Sequence, residues 1–239
     1  MNMDKINIDF FKNLLFSSKC ACCNRLVDNQ GLCADCWSKI NWISEPKCRI
    51  CGAPFVFEVD QICAACLANK PYFDKAVSVF VYNERSKSMI LKFKHQDATY
   101  MYEYLANLMY KTAVNEISQS DVIVPVPVSF IKRLKRKYNQ SELLACELRR
   151  LSNIAYEPRV LKKIKQTMPQ EGLSGKARRK NVIGSFGIDK KFENSIADKN
   201  VLLIDDVFTT GATVNECAKV LKEHKAKTVK VITLARVIL

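Results

Sequence analysis

Apolar residues follow two regimes along the chain. From about residue 70 onward, short unbroken apolar runs alternate with stretches whose apolar positions recur every three or four residues. Residues 76–82, 121–126, 199–204 and 228–239 read as strands, and the run at 201–204 has no polar alternation, as expected of a strand buried on both faces. Helical periodicity follows most of them. Leu105, Leu108, Met109 and Thr112 line one face within 101–117, and Leu143, Leu144, Leu148 and Leu151 line another after Asn139, whose spacing to Glu142 fits a capping box. Val214, Cys217, Ala218 and Leu221 fall at i, i+3, i+4 and i+7. Alternating strands and helices predict an α/β domain, a parallel sheet flanked by helices. Before residue 70 neither period is sustained, except that Ile8, Phe10, Phe11, Leu14, Leu15 and Phe16 make one amphipathic face expected to pack on the neighbouring module. The boundary is expected within residues 67–75, giving units at 1–70 and 71–239.

The strand at 201–204 is expected to stop at two carboxylates, Asp205 and Asp206. A turn of Thr209, Thr210, Gly211, Ala212 and Thr213 then enters the helix. The free N–H groups and positive dipole end of that helix favour an anion in the turn, with threonine hydroxyls as further donors. Two acids on the rim of an anion cup would repel the same anion, so they suit the vicinal hydroxyls of a sugar. Phosphate in the cup and a diol on the rim describe a ribose 5-phosphate. The plain alternative is a charged strand end with a threonine cap. A nucleotide P-loop is excluded, because its glycine-rich pattern and lysine are missing.

Two other loops carry cations toward the same end of the sheet. The run at 132–137, with Arg133 and Arg136, lies between a strand end and a helix start, where ligands bind in open α/β sheets. The stretch 166–181, with Gln170 and Arg178, has the glycines and guanidiniums of a closing flap. In the basic segment 85–94, the Lys92-Phe93-Lys94 run is suited to pyrophosphate or to a stacked base, or equally to a solvated helix face; His95 beside it is a weak acid/base candidate.

The N-terminal part is defined by cysteine. Nine of the eleven cysteines precede residue 67, and eight form C-x-x-C pairs: Cys20/Cys23, Cys33/Cys36, Cys48/Cys51 and Cys63/Cys66. Such knuckles supply tetrahedral metal sites, so two closed Cys₄ zinc sites of structural kind are expected. Spacers of 9, 11 and 11 residues suit pairing in sequence, with an interleaved arrangement as the alternative. Cys22 is left over, a free thiol expected at the surface, and Trp37, Trp42 and Phe55 are expected to fill the space between ribbons. The formal charge of +14 falls to about +10 once eight thiolates and two Zn²⁺ are counted, which still favours phosphate-rich partners. No secretory signal is visible, and the longest apolar run, 122–128, is too short for a membrane span, so a cytoplasmic protein is expected.

Residues 201–213 resemble the phosphoribosyl-diphosphate signature of type I phosphoribosyltransferases. The likeness implies that Asp205 and Asp206 hold the ribose hydroxyls and residues 209–213 the 5-phosphate. The double zinc ribbon, the 91–93 segment, the Val-Pro-Val-Pro at 124–127, Tyr138-Asn139-Gln140, and the spaced Gln170, Leu173, Arg178 and Asn181 extend it to the ComF family, GntX-type members included. Lys137 stands where that family has glycine. The resemblance implies a phosphoribosyltransferase-like domain binding phosphoribosyl diphosphate with Mg²⁺, and Lys92, Arg133, Arg136, Asn139, Gln140, Gln170 and Arg178 as contacts for pyrophosphate or nucleic acid. It further implies a part in handling imported single-stranded DNA during competence or DNA utilisation, with competence proteins as partners. Two functions stay open: a binding module in which Phe93, Tyr138 or Trp42 stacks on a single strand, and an active pentosyltransferase whose acceptor and catalytic base the residues do not name.

Overall fold

The computed structural model describes residues 18–57, 62–95, 101–128, 138–165 and 175–238. The hairpin β1 (Ser18–Lys19) and β2 (Leu26–Val27) is followed by short helices α1 (Ala34–Ser38) and α2 (Ala64–Ala68). Then come β3 (Lys75–Val81), α3 (Glu84–His95), α4 (Tyr102–Thr112), α5 (Val114–Ser118), β4 (Val122–Pro125), α6 (Gln140–Ser152) and β5 (Ala155–Tyr156). The chain continues through β6 (Leu161–Lys163), α7 (Gly175–Val182), β7 (Phe186–Ile188), β8 (Asn200–Phe208), α8 (Ala212–Glu223) and β9 (Thr228–Arg236).

Five strands form one parallel sheet in the order β3-β9-β8-β4-β5. From β4 the chain winds outward to β5, and from β8 it winds the other way to β9. The adjacent strands β4 and β8 therefore flank the switch point, where the helices after them diverge and leave a crevice. The pleat of β8 divides the core in two. Leu202 and Ile204 pack with Met89, Phe93, Leu105 and Leu144 from α3, α4 and α6, while Val201 and Leu203 pack with Val214, Cys217 and Leu221 from α8. Full burial of 201–204 on both faces is what the unbroken apolar run required.

The cysteine-rich segment covers the exposed edge of the sheet. The Ile43 N–H donates to the Val79 carbonyl (3.0 Å), the Val81 N–H donates to Asn41 (2.8 Å), and the Ala76 N–H donates to Ile50 (2.7 Å). These bonds occupy β3's free ladder groups, which would otherwise template aggregation. Trp42 packs edge-on to Phe80 of β3, and Trp37 lies against Trp42 with ring centroids 4.4 Å apart and planes tilted by 41°. The two tryptophans thus join ribbon to sheet and do not fill a space between ribbons; Phe55 packs with the opposite core cluster.

Other expectations need correction. β8 does not stop at the carboxylates but runs through them to Phe208, because β9 continues to pair with it as far as Arg236. Cys22 is buried, wedged under α3 where its carbonyl accepts from Ser88 (3.0 Å) and Lys92 (2.6 Å). The helix foreseen over 101–117 breaks at Ala113 into α4 and α5. The second half of the basic loop at 166–181 is helix α7. Residues 8–16, 132–137 and 166–174 lie outside the described residues.

Gly52 makes the edge cover possible. Its φ of +71° lies in the left-handed region, and a Cβ there would sit 2.5 Å from the Ala76 carbonyl oxygen. Gly52→Ala is expected to lower stability by about 1–3 kcal/mol, measured as a fall in Tm, with the loss concentrated in faster amide exchange along β3. An unchanged Tm would show that the ribbon does not depend on that close approach.

Candidate functional site

The site is built at the carboxyl ends of β4 and β8. Asp205 and Asp206 are the sixth and seventh residues of β8, and the turn from 209 to 211 follows directly. Gly211 caps α8 in the left-handed conformation (φ +75°), and a Cβ at this position would penetrate the Phe208 ring at 2.5 Å. Glycine is therefore needed twice, for the backbone turn and for the ring beneath it. The first turn of α8 carries no acid, and the cap supplies no side chain to satisfy the helix end. Ala212 N–H reaches Thr210 Oγ1 at 3.4 Å, which places that hydroxyl at the start of the helix. Of the residues assigned to the cup, Thr209, Thr210 and Gly211 form the turn, while Ala212 and Thr213 open the helix.

Two carboxylates this close need partners, and each finds one on a different element. Asp205 Oδ1 accepts from Ser141 Oγ (3.1 Å) and from the Asp206 N–H (2.9 Å). Asp206 Oδ2 pairs with Lys94 Nζ at 2.8 Å. Burial and the charge of Asp206 push the Asp205 carboxyl up to about 7, against the lowering effect of the Asp206 N–H, Lys94 and Ser141.

A clamp between α3 and α6 holds these partners in place. Tyr138 donates its hydroxyl to the Phe93 carbonyl (3.0 Å), and Gln140 donates to the Lys94 carbonyl (3.3 Å). Asn139 caps α6 by accepting from the Ser141 N–H (3.1 Å) and donates to the Val126 carbonyl (3.1 Å). Asn139 and Gln140, both almost fully buried, thus fix the end of α3 and the loop after β4 relative to Asp205 and Asp206.

Lys92 and Lys94 point to opposite sides of α3, as residues two apart on a helix must. Lys92 donates to the Cys22 carbonyl and to Asn24 Oδ1 (2.8 Å), so its ammonium lies at the first ribbon. Lys94 is the cation at the carboxylates, whereas the sequence, which offered the whole 92–94 run, singled out Lys92 as the contact. An inward Phe93 puts the two lysines on either flank and does not choose between them; the packing of Met89 and Ile90 with Phe93 does. Ser141 had no signal in the sequence beyond following a cap. Phe93 is fully buried in the core, which removes it as a base-stacking ring, and Tyr138 and Trp42 are engaged as described. Arg133, Arg136 and Gln170 lie outside the described residues, and Arg178 is on α7.

The eight paired cysteines assemble into two clusters in sequence order, Cys20/Cys23/Cys33/Cys36 and Cys48/Cys51/Cys63/Cys66, each with its four sulfurs within 4.8 Å of one another. A tetrahedral ion with Zn–S bonds of about 2.3 Å sets its sulfurs about 3.8 Å apart. Cys23 and Cys33 sulfurs are 3.7 Å apart, and those of Cys51 and Cys63 are 3.6 Å apart, far longer than a disulfide. Backbone N–H groups of Cys33 and Cys63 point at the sulfurs of Cys20 (3.3 Å) and Cys48 (3.4 Å), as they do toward metal-bound thiolates. Both clusters fit structural zinc with all four positions filled by protein.

Beside the turn, a cavity of about 600 Å³ opens between the second cluster and α8; Cys66, Tyr72, Phe208, Thr210, Asn215 and Arg236 are among its walls.

A family described as a double zinc ribbon domain matches residues 11–67, and a phosphoribosyl transferase domain matches residues 107–238. Competence protein F of Haemophilus influenzae is 33% identical over 228 residues, covering 92% of this chain and 98% of that protein. The chain belongs to the ComF family. Competence protein ComFC of Bacillus subtilis is 29% identical, covering 88% and 86% of the two chains, and DNA utilization protein YhgH of Escherichia coli is 26% identical, covering 86% and 90%. The ComF-type architecture, a phosphoribosyltransferase-like parallel sheet with an N-terminal double zinc ribbon, accounts for the whole described chain. The Tyr138-Asn139-Gln140 run of this chain has a physical role: Tyr138 and Gln140 bond the end of α3, and Asn139 caps α6 and bonds the loop after β4.

The raised Asp205 pKa has a testable consequence. Below the unfolded value near 4 both states hold the proton; as pH rises toward about 7 the unfolded chain releases it and the native state does not. Asp205 therefore removes native stability across that window, and the loss is complete above it. Asp205→Asn keeps the acceptor for Ser141 without the charge. Relative to wild type it should gain on the order of 2 kcal/mol more at pH 8 than at pH 4, read from urea unfolding at the two pH values; parallel curves would refute the shift.

Proposed function

We propose that the crevice at the ends of β4 and β8 binds phosphoribosyl diphosphate or a related ribose 5-phosphate. The observation that carries the proposal is the meeting of a neutralised carboxylate pair with an anion-ready turn on one strand. Asp205 and Asp206 would accept from the ribose hydroxyls, and the backbone and hydroxyls of residues 209–213 would surround the 5-phosphate. Lys94, tethered to Asp206, is within reach of a diphosphate at the same place, with Arg133, Arg136, Gln170 and Arg178 as further contacts from the neighbouring loops and helix. Lys92 is better assigned to holding the ribbon. Mg²⁺ bound with the diphosphate would offset its charge and stabilise a departing pyrophosphate.

The physiological setting we infer is the handling of imported single-stranded DNA, supported by the competence and DNA-utilization names of three relatives and by the strongly basic chain. With Phe93 and Trp42 committed to packing, contact with a strand would come chiefly from cations on its phosphates. Pentosyl transfer to a nitrogenous acceptor is the second reading, favoured by the cavity beside the turn, which has room and aromatic walls for a planar group. Mass spectrometry of pyrophosphate release against bases, nucleosides and DNA ends separates turnover from binding alone.

Wild-type protein with Mg²⁺ and phosphoribosyl diphosphate should show a raised Tm, and the Asp205→Asn/Asp206→Asn protein should fold yet gain no protection. Equal protection in the double variant would move the sugar site elsewhere. For nucleic acid, a fluorescent single-stranded oligonucleotide should lose at least about ten-fold in affinity between 50 and 200 mM salt. A flat response would eliminate binding through the cationic surface.

A further inference from the structure

The last residue of β9 touches both the second cysteine cluster and the phenylalanine that lies beneath the anion turn. Arg236, nine-tenths buried, donates from one terminal nitrogen to the Cys51 carbonyl and from the other to the Cys51 sulfur at 3.4 Å. The guanidinium lies over the Phe208 ring at 4.5 Å, a cation–π contact inside the protein. Phe208 is edge-on to Phe73, and its ring is the surface against which Gly211 is pressed. Ladder bonds hold the arrangement at both ends: Tyr82 N–H donates to the Arg236 carbonyl (2.6 Å) and Val237 N–H to the Phe208 carbonyl (2.9 Å). The Nε of Arg236, also buried, has no hydrogen-bond partner among the described residues. A buried arginine short of one partner is held by its other contacts, and two of these go to Cys51, a member of the second four-cysteine cluster.

We propose that Arg236 is a positioning residue linking the second four-cysteine site to the turn at 209–211, so that metal in the one and an anion in the other reinforce each other. Metal fixes the Cys51 knuckle; Cys51 fixes the guanidinium; the guanidinium holds the Phe208 ring flat beneath Gly211; and the ring keeps the turn in its left-handed, anion-ready form. Free-energy linkage makes the coupling reciprocal. Cys51, Cys66, Phe208, Thr210, Gly211 and Arg236 all line the one cavity, so no intervening layer is needed to carry the effect. The anion half of this inference rests on the sugar-phosphate reading of the turn; the positioning half does not.

Amide hydrogen exchange on the full-length, zinc-loaded protein tests the positioning half. Cys63→Ser, which removes a second-site ligand away from Arg236, should speed exchange across 208–213 by about ten-fold while a peptide over β4 keeps its protection. Cys33→Ser in the first site should leave 208–213 unchanged. Arg236→Met should reproduce the faster exchange with both metals retained, and Arg236→Lys, which keeps charge without the fork, should fall between. Phe208→Leu, changed at the next link, should act like Arg236→Met and serves if that variant misfolds. Loop exchange indifferent to Cys63→Ser, or equal in wild type and the Arg236 and Phe208 variants, overturns the proposal.

The anion half is read with ribose 5-phosphate as probe. Where calorimetry shows it binding, it should slow chelator-driven zinc release from the second site in wild type and not in Arg236→Met; binding without slowing breaks the coupling. No heat in wild type instead defeats the sugar-phosphate reading, and the exchange result alone then decides whether Arg236 positions the turn.

Discussion

Two adjacent carboxylates near the end of a buried central strand are the constraint to which the surrounding structure answers. The strand must be apolar on both faces up to Ile204 to lie at the centre of the sheet, and it remains paired with β9 beyond the acids. Charge is thus introduced where water is scarce, and the cost appears in the raised affinity of Asp205 for its proton. Lys94 and Ser141 offset that cost, but each comes from a helix whose placement is not fixed by the sheet alone. Tyr138, Asn139 and Gln140 supply the missing fixity: Tyr138 and Gln140 bond the end of α3, and Asn139 bonds the loop after β4.

The N-terminal ribbons answer a different problem at the opposite side of the sheet. β3 is an edge strand with five consecutive buried residues, so its far side needs a cover. A segment of such length without sustained helix or strand period has little core of its own, and metal can supply roughly 10 kcal/mol or more toward folding it. Because the first cluster packs with one core face and the second with the other, the ribbons straddle the edge and brace both layers. The cover also brings cysteine knuckles near the functional end of the sheet, where Arg236 meets Cys51.

What could be read from the sequence was what short-range physics decides. The apolar run of β8, the period of α8, the Asn139 cap and the four knuckles each depend on residues within a turn or two of one another, and each is found where its pattern put it. What escaped depends on contacts between distant segments. Whether Lys92 or Lys94 faces the carboxylates follows from which side of α3 meets the core, and that is set by Met89, Ile90 and Phe93 packing across the sheet. The continuation of β8 past two acids runs against strand propensity and is imposed by pairing with β9. Arg236 carried no motif at all, because its role comes from a partner 185 residues away.

The carboxylate pair is hard to explain as a stabilising feature. Replacing partly buried ionic groups by apolar residues of similar size is often neutral or stabilising, and β8 needs no charge to pair with β4 or β9. A structure organised only for stability would continue the apolar run. Instead the chain spends a lysine, a serine and a three-residue clamp on keeping Asp205 and Asp206 in place beside a turn that glycine alone can make. Local conflict held in place by its surroundings is characteristic of sites that bind or react. The same logic applies to Arg236, which lacks one partner among the described residues while its remaining contacts join the Cys51 knuckle to the Phe208 ring beneath the turn.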